Sequence, residues 1–215
     1  GEFTVGALGG EEGRGFMINE TYIKYYPVEY HAQSAVWAAL ALREQIGGDI
    51  SQIERVEIDT FEACYSIIGS EPEKWRPQSR ETADHSLPYI VGATLMDGKV
   101  DLDTFDEARY TDPTLLELVS RITVRHDTAM DARYPEGIPN RITLHLKDGR
   151  TLTEENTFPR GHARNPMSDE EVEAKFYVLT EWALPRARQD EVLQFVWSLD
   201  AQPTLAPLMA LLRVA

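Results

Sequence analysis

The chain has 215 residues, 42% apolar and 27% charged, a balance that excludes disorder and suits one substantial domain, or a domain with an appended segment. Thirty-six acidic side chains against 21 basic ones give a net charge of −15, which repels a nucleic-acid backbone and an anionic membrane surface alike. The single cysteine, Cys64, excludes an intrachain disulfide and the thiolate set of an iron–sulfur cluster, and no stretch approaches the roughly 18 apolar residues that span a bilayer, so the expectation is a cytoplasmic protein that engages neither nucleic acid nor membrane.

The opening residues, Gly1 to Val5, lack the regions of a signal peptide and read as the middle of a strand, as though the chain were truncated or processed. Phe16 to Tyr26 is rich in aromatic and β-branched residues and reads as a strand that ends at Pro27. Ala32 to Ile46 has helical spacing and is stopped by Gly47 and Gly48, and Ile53, Val56, Ile58 and Thr60 then mark a half-buried strand. A second helical region between Ser79 and Met96 is predicted to start near His85, with Asp84 or Ser86 as cap and Pro88 in the first turn. Short helical patterns follow at Leu102 to Ala108 and Thr114 to Arg121, the second opened by Asp112-Pro113. Arg141 to Leu146 and Thr151 to Thr153 flank an Asp148-Gly149 turn and predict a hairpin, with Ile142, Leu144 and Leu146 on one face and His145 on the other.

From Pro159 to Pro166 the composition changes to an irregular basic loop, and beyond it the pattern is purely helical. Ser168 and Glu171 fit a capping box, and helices are predicted to follow from Arg186 to Leu199 and from Thr204 to Leu212. The fold class is therefore α+β: a two-layer sheet-and-helix domain over 1–165 and a C-terminal helical segment over 166–215, whose apolar residues call for a surface to dock on.

Three stretches concentrate groups suited to a carboxylate ligand. Lys24 to His31 ends at a helix start, where free backbone donors favour an anion. His85 and Tyr89 stand four apart, on one face of a helix if both lie in it. Arg160, His162 and Arg164 surround Gly161, and arginine forks match carboxylates. Each also has a plain reading, as a solvated lysine, a packed histidine, a core tyrosine or an ordinary surface loop. His126 shows no partner pattern, Cys64 reads as a packed thiol on a helix after the second strand, and the five histidines carry no metal-ligand spacing.

Taken in order, Lys24-x-Tyr26-Pro27-x-Glu29-Tyr30-His31-x-Gln33, Asp84-His85-Ser86-x-x-Tyr89, Asp97-Gly98 and Pro159-x-Gly161-His162-Ala163-Arg164 resemble the MmgE/PrpD family from about Phe16 to Phe176, and the first motif is particularly like its 2-methylcitrate-dehydrating members. The resemblance implies a cofactor-free lyase that dehydrates 2-methylcitrate to 2-methyl-cis-aconitate in propionate catabolism, with cis-aconitate decarboxylation or iminodisuccinate epimerisation as alternatives within the family. It implies that 1–165 is a lid domain, and that the tail completes an all-helical domain whose main part, with the other half of the site, precedes this chain. It also implies a homodimer and no activity for this segment alone. By the same resemblance Lys24 and Tyr89 are catalytic, Lys24 as carboxylate anchor or proton carrier and Tyr89 as a donor to substrate, while His31, His85, Arg160, His162 and Arg164 bind a small tricarboxylate. A non-enzymatic binding or assembly module is the reading from a different class.

Overall fold

The computed structural model describes residues 9–11, 13 and 15–213 and divides into two units, one ending at Pro166 and the other beginning at Met167. The strand-like reading of residues 1–5 lies outside the described residues.

In the first unit, β1 (Ile53–Thr60), β2 (Ile122–His126), β3 (Asn140–Leu146) and β4 (Thr151–Asn156) form a mixed sheet in the order β2-β1-β3-β4. β1 runs parallel to β2 and antiparallel to β3, and the expected hairpin joins β3 to β4. The period-two pattern sets the register: Ile58 pairs with Val124 on one side and Ile142 on the other, and Val56 pairs with Leu144, so one face is continuously apolar. Against that face lies α1 (Gln33–Gln45), packed on β3 and β4, beside α2 (Leu87–Asp97), which packs in turn on α3 (Pro113–Val119) and β2. Ala35, Ala38 and Ala39 are fully or almost fully buried, and their small side chains let α1 approach the sheet closely. α2 is buried from Leu87 to Leu95, which is why its sequence shows no polar stripe. At Gly92 an added Cβ would stand 2.7 Å from Cγ2 of Val119, so the absence of a side chain sets the approach of α3.

The helix starts follow their caps. The Oγ of Ser86 accepts from the Tyr89 N–H at 3.1 Å, with Pro88 in the first turn, and Asp112 accepts from Thr114 at 2.8 Å ahead of Pro113. A separate short helix, Arg80–Asp84, precedes α2 and ends on His85 as its C-cap, so the single start expected near His85 is two helices with a break between them. Residues 16–26 correct the sequence reading more fully. They form no strand; Met17–Glu20 is a 3-10 turn and the rest is irregular, because the backbone groups of Tyr25 and Tyr26 bond to the side chain of Gln33 instead of a neighbouring strand.

The opposite face of the sheet carries paired charges. Arg125 bonds Asp59 at 2.9 Å and Glu57 at 3.0 Å, Arg141 lies 2.7 Å from Asp127, and Arg133 lies 2.5 Å from Glu155. His145 stands on this side, 3.4 Å from Glu57, and His126 has a partner the sequence did not suggest, Asp131 at 2.9 Å.

In the second unit, α4 (Asp169–Thr180) opens on the expected capping box: Ser168 N–H donates to Glu171 at 2.8 Å, and Glu171 N–H donates to the Ser168 hydroxyl at 3.3 Å. α5 (Arg186–Trp197) and α6 (Ala206–Leu211) follow. Val192 and Phe195 are buried, whereas Val178 is 62% and Trp182 78% exposed. Among the described residues no helix is long and apolar enough to cross a membrane.

Candidate functional site

Residues 22–31 are the hub on which the three chemistry-bearing stretches meet. The Ile23 N–H donates to the Gly161 carbonyl at 2.9 Å, and the Glu29 N–H donates to the Asp84 carbonyl at 2.9 Å. Lys24 lies between these two fastenings, on the exposed side of the segment. The backbone segment that carries Lys24 and His31 is thus tied both to the Asp84-His85 turn and to the 159–165 loop.

His31 is held from three sides. Its Nδ1 lies 3.1 Å from Oε1 of Glu29, within ion-pair distance but out of hydrogen-bond alignment, while Oε2 accepts the His31 N–H at 2.8 Å, so one carboxylate caps the turn Tyr30–Ala32 and lies against the imidazole. The rings of Phe61 and Tyr134 meet the imidazole edge-on at 5.2 and 5.6 Å. Its carbonyl accepts from Nδ2 of Asn140 at 2.8 Å; the same amide nitrogen donates to the Ser34 hydroxyl at 2.8 Å, which donates to the Ile138 carbonyl at 2.5 Å. Burial works to raise the Glu29 carboxyl, but the bonds and charge of His31, together with the positive charge of Lys24, outweigh it and hold the group below the ordinary carboxylate range. Glu29 is therefore an anion set against the imidazole and within the field of the Lys24 charge.

The 159–165 loop is built around Gly161, whose φ of +94° no side-chain-bearing residue adopts cheaply. The Gly161 N–H donates to the Asn165 carbonyl at 2.9 Å, and the side chain of Asn165 donates to the Phe158 carbonyl at 3.0 Å. His162 is 3% exposed, and its ring stacks on Tyr22 at 4.3 Å. Tyr22 stacks in turn on Tyr30 at 5.4 Å. The Arg164 N–H donates to His162 Nδ1 at 3.0 Å, which makes Nδ1 the acceptor and leaves the proton of the neutral ring on Nε2. Burial pushes the His162 imidazole below its ordinary value. A neutral, buried, stacked ring braces the loop rather than attracting an anion.

Arg164 lies over the Phe158 ring at 5.1 Å and pairs with Glu136 at 2.5 Å, and Arg160 donates to Asn165 at 3.1 Å. His85, half exposed, bonds Asp84 at 2.5 Å. Tyr89 is fully buried, its hydroxyl donates to the Thr104 carbonyl at 2.6 Å, and the nearby charges are those of Arg109, Asp97, Asp112 and Asp106. A hydroxyl with no exposed surface cannot touch a substrate in this arrangement. His85 lies outside α2, so the two side chains, although four apart, share no helix face.

Glu29, Gln33, Asn140, Tyr22 and Tyr134 have places here that the sequence pattern does not assign. The interval from Glu29 to His31 was a usable signal, since a carboxylate two residues ahead of a helix-start histidine can cap and pair at once. Asn140 had none, its partners lying 106 and 109 residues away. Cys64 is a buried thiol whose Sγ lies 3.9 Å from the His31 carbonyl, and burial raises its pKa. Among the described residues no group of three or more His, Cys, Asp or Glu side chains is arranged to hold a metal ion.

The first unit is thus an α+β domain in which the segment of Lys24 and His31 is fastened to the Asp84-His85 turn and to the loop of Arg160 and Arg164. The chain belongs to the MmgE/PrpD family: the MmgE/PrpD C-terminal domain matches residues 26–201. It is 32% identical to the 2-methylcitrate dehydratase of Escherichia coli K12 over 187 residues, covering 83% of this chain and 38% of that protein. It is 33% identical over 147 residues to the 2-methylcitrate dehydratase of Cupriavidus necator, covering 65% of this chain and 30% of that protein. It is 28% identical over 143 residues to human cis-aconitate decarboxylase, covering 64% of this chain and 28% of that protein. The chain therefore spans well under half the length of these relatives.

Proposed function

We propose that this chain is the C-terminal, lid-bearing part of a cytoplasmic, cofactor-free lyase that removes water from 2-methylcitrate to give 2-methyl-cis-aconitate. The observation that carries the reading is the fastening of the Lys24 segment to both the Asp84-His85 turn and the Gly161 loop, in a chain whose relatives include 2-methylcitrate dehydratases. Dehydration transfers a proton from carbon next to a carboxylate to a base and releases the neighbouring hydroxyl, protonated, as water. Lys24 supplies the cation that anchors a substrate carboxylate or carries a proton, and the cationic forks of Arg160 and Arg164 recognise the remaining carboxylates. His31, set by Glu29, and His85, set by Asp84, are imidazoles suited to hydrogen-bonding substrate. In this reading the rest of the site lies on a preceding helical domain that the tail helices complete, the enzyme is a homodimer, and this segment alone is inactive.

The test is to supply the full-length parent with 2-methylcitrate and follow the ultraviolet absorbance of the new conjugated double bond. Absorbance rising with the parent and flat with this chain alone is the expected result; none from the parent with either 2-methylcitrate or citrate removes the reading. The 28% identity to human cis-aconitate decarboxylase favours one second reading, decarboxylation of cis-aconitate, which carbon dioxide release from that substrate would establish.

A further inference from the structure

We infer that Gln33 is a positioning residue that fixes Lys24 and the Glu29–His31 pair relative to one another, by making from one buried amide four hydrogen bonds to the backbone of Tyr25, Tyr26 and Val28. The inference deepens the proposed function and rests on it for the chemistry, though not for the geometry. Gln33 is the first residue of α1 and is 1% exposed. Its Oε1 accepts from the N–H groups of Tyr25 at 3.2 Å and Tyr26 at 3.1 Å, and its Nε2 donates to the carbonyls of Tyr26 at 2.7 Å and Val28 at 3.4 Å. Two bonds accepted and two donated use the whole capacity of a primary amide.

The span matters because of what flanks it. Lys24 immediately precedes Tyr25, and Glu29 immediately follows Val28, so the clamped backbone is the piece that sets the spacing of ammonium and carboxylate. The clamp comes from the start of α1, and a second anchor comes from further along that helix, where the rings of Tyr25 and Tyr26 lie 5.3 and 5.4 Å from Trp37. Other side chains do not meet these demands. Glutamate keeps the acceptor and loses the donor, placing a carboxylate against two carbonyls; asparagine is one methylene short; methionine fills the volume and makes none of the bonds.

The test uses Gln33→Met, with Gln33→Glu as a second variant that carries the same readouts should the first fail to fold. In this chain, amide hydrogen exchange at Tyr25 and Tyr26 is expected to accelerate about tenfold or more, while Ile142 and Leu144 in β3 exchange as in wild type; the ¹⁵N shifts of the His31 imidazole are expected to move with them. In the full-length parent, kcat for 2-methylcitrate is expected to fall about tenfold or more, with a smaller change in KM, since misplacing reacting groups costs turnover before it costs binding. Wild-type exchange at Tyr25 and Tyr26, or faster exchange with wild-type kcat, overturns the inference. A wild-type parent inert toward 2-methylcitrate overturns the dehydratase reading instead, and the exchange rates with the His31 shifts then decide this one.

Discussion

Ile23 and Gly161 are joined by one backbone hydrogen bond of 2.9 Å, and through it the segment bearing Lys24 is tied to the loop bearing Arg160 and Arg164. Gly161 accepts it with its backbone in the region of positive φ, at +94°. Gly161→Ala is expected to cost about 1–2 kcal/mol of stability, the penalty of forcing a Cβ into left-handed space. Urea denaturation followed by circular dichroism measures it; an unchanged midpoint and slope would show that the loop does not need glycine.

Asn140 ties β3 to the start of α1 by donating to both the His31 carbonyl and the Ser34 hydroxyl. Asn140→Ala leaves those buried acceptors without their donor and is expected to destabilise the fold by about 1–3 kcal/mol. Asn140→Asp is expected to cost more, because it sets a carboxylate against the same carbonyl. Equal midpoints for wild type and both variants would remove the network from any role in stability.

His162 makes the pH dependence testable. Its imidazole is buried and held below the unfolded value of about 6.5, so its contribution to stability is complete above that value and is lost as pH falls from there through the folded value. The melting temperature is therefore expected to drop on acidification just below about pH 6.5, and His162→Phe, which keeps a ring between Tyr22 and Phe158, is expected to flatten that part of the curve. Glu29 acts in the same direction at lower pH, its contribution being present above about 4.3 and lost as pH falls through its depressed value. Nitrogen-15 spectra check both the titration of His162 and its tautomer, and a ring midpoint at or above the unfolded value contradicts the burial argument.

Lys24 and Tyr89, paired by resemblance, are expected to part company in the full-length enzyme. Lys24→Ala is expected to lower turnover by roughly 10²–10³, the usual effect of removing one transition-state donor. Tyr89→Phe is expected to leave turnover within a few-fold and to cost about 1 kcal/mol of stability, from the bond lost to the Thr104 carbonyl. Steady-state kinetics on both variants decides the matter, and comparable losses of turnover would put the tyrosine back in the machinery.

Much of the fold was legible because its signals are local. The alternation in β1 and β3, the Asp-Gly turn between β3 and β4 and the Ser168–Glu171 box each involve neighbours in sequence, and each appears where expected. Residues 16–26 misled because their aromatic and β-branched content marks burial as much as pairing; Tyr25 and Tyr26 pack on Trp37 with no strand beside them. The site was legible as three stretches. Their meeting depends on two backbone bonds between distant segments, and the parting of Tyr89 from His85 depends on a helix break at His85, neither of which a spacing rule can register.

The order β2-β1-β3-β4 leaves two rims, and both are short: β2 has five residues and β4 has six. A foreign strand adding to β4 would come up against Glu154 and Glu155, and one adding to β2 would meet Arg125. Seating a second strand there would take these charges and the ion pairs that they already make, Arg125 with Asp59 and Glu57 and Glu155 with Arg133, out of water, so the sheet resists growing by recruitment of other chains. Replacing those few charged residues with apolar ones would strip that protection and invite aggregation, with the inner layers of the fold untouched.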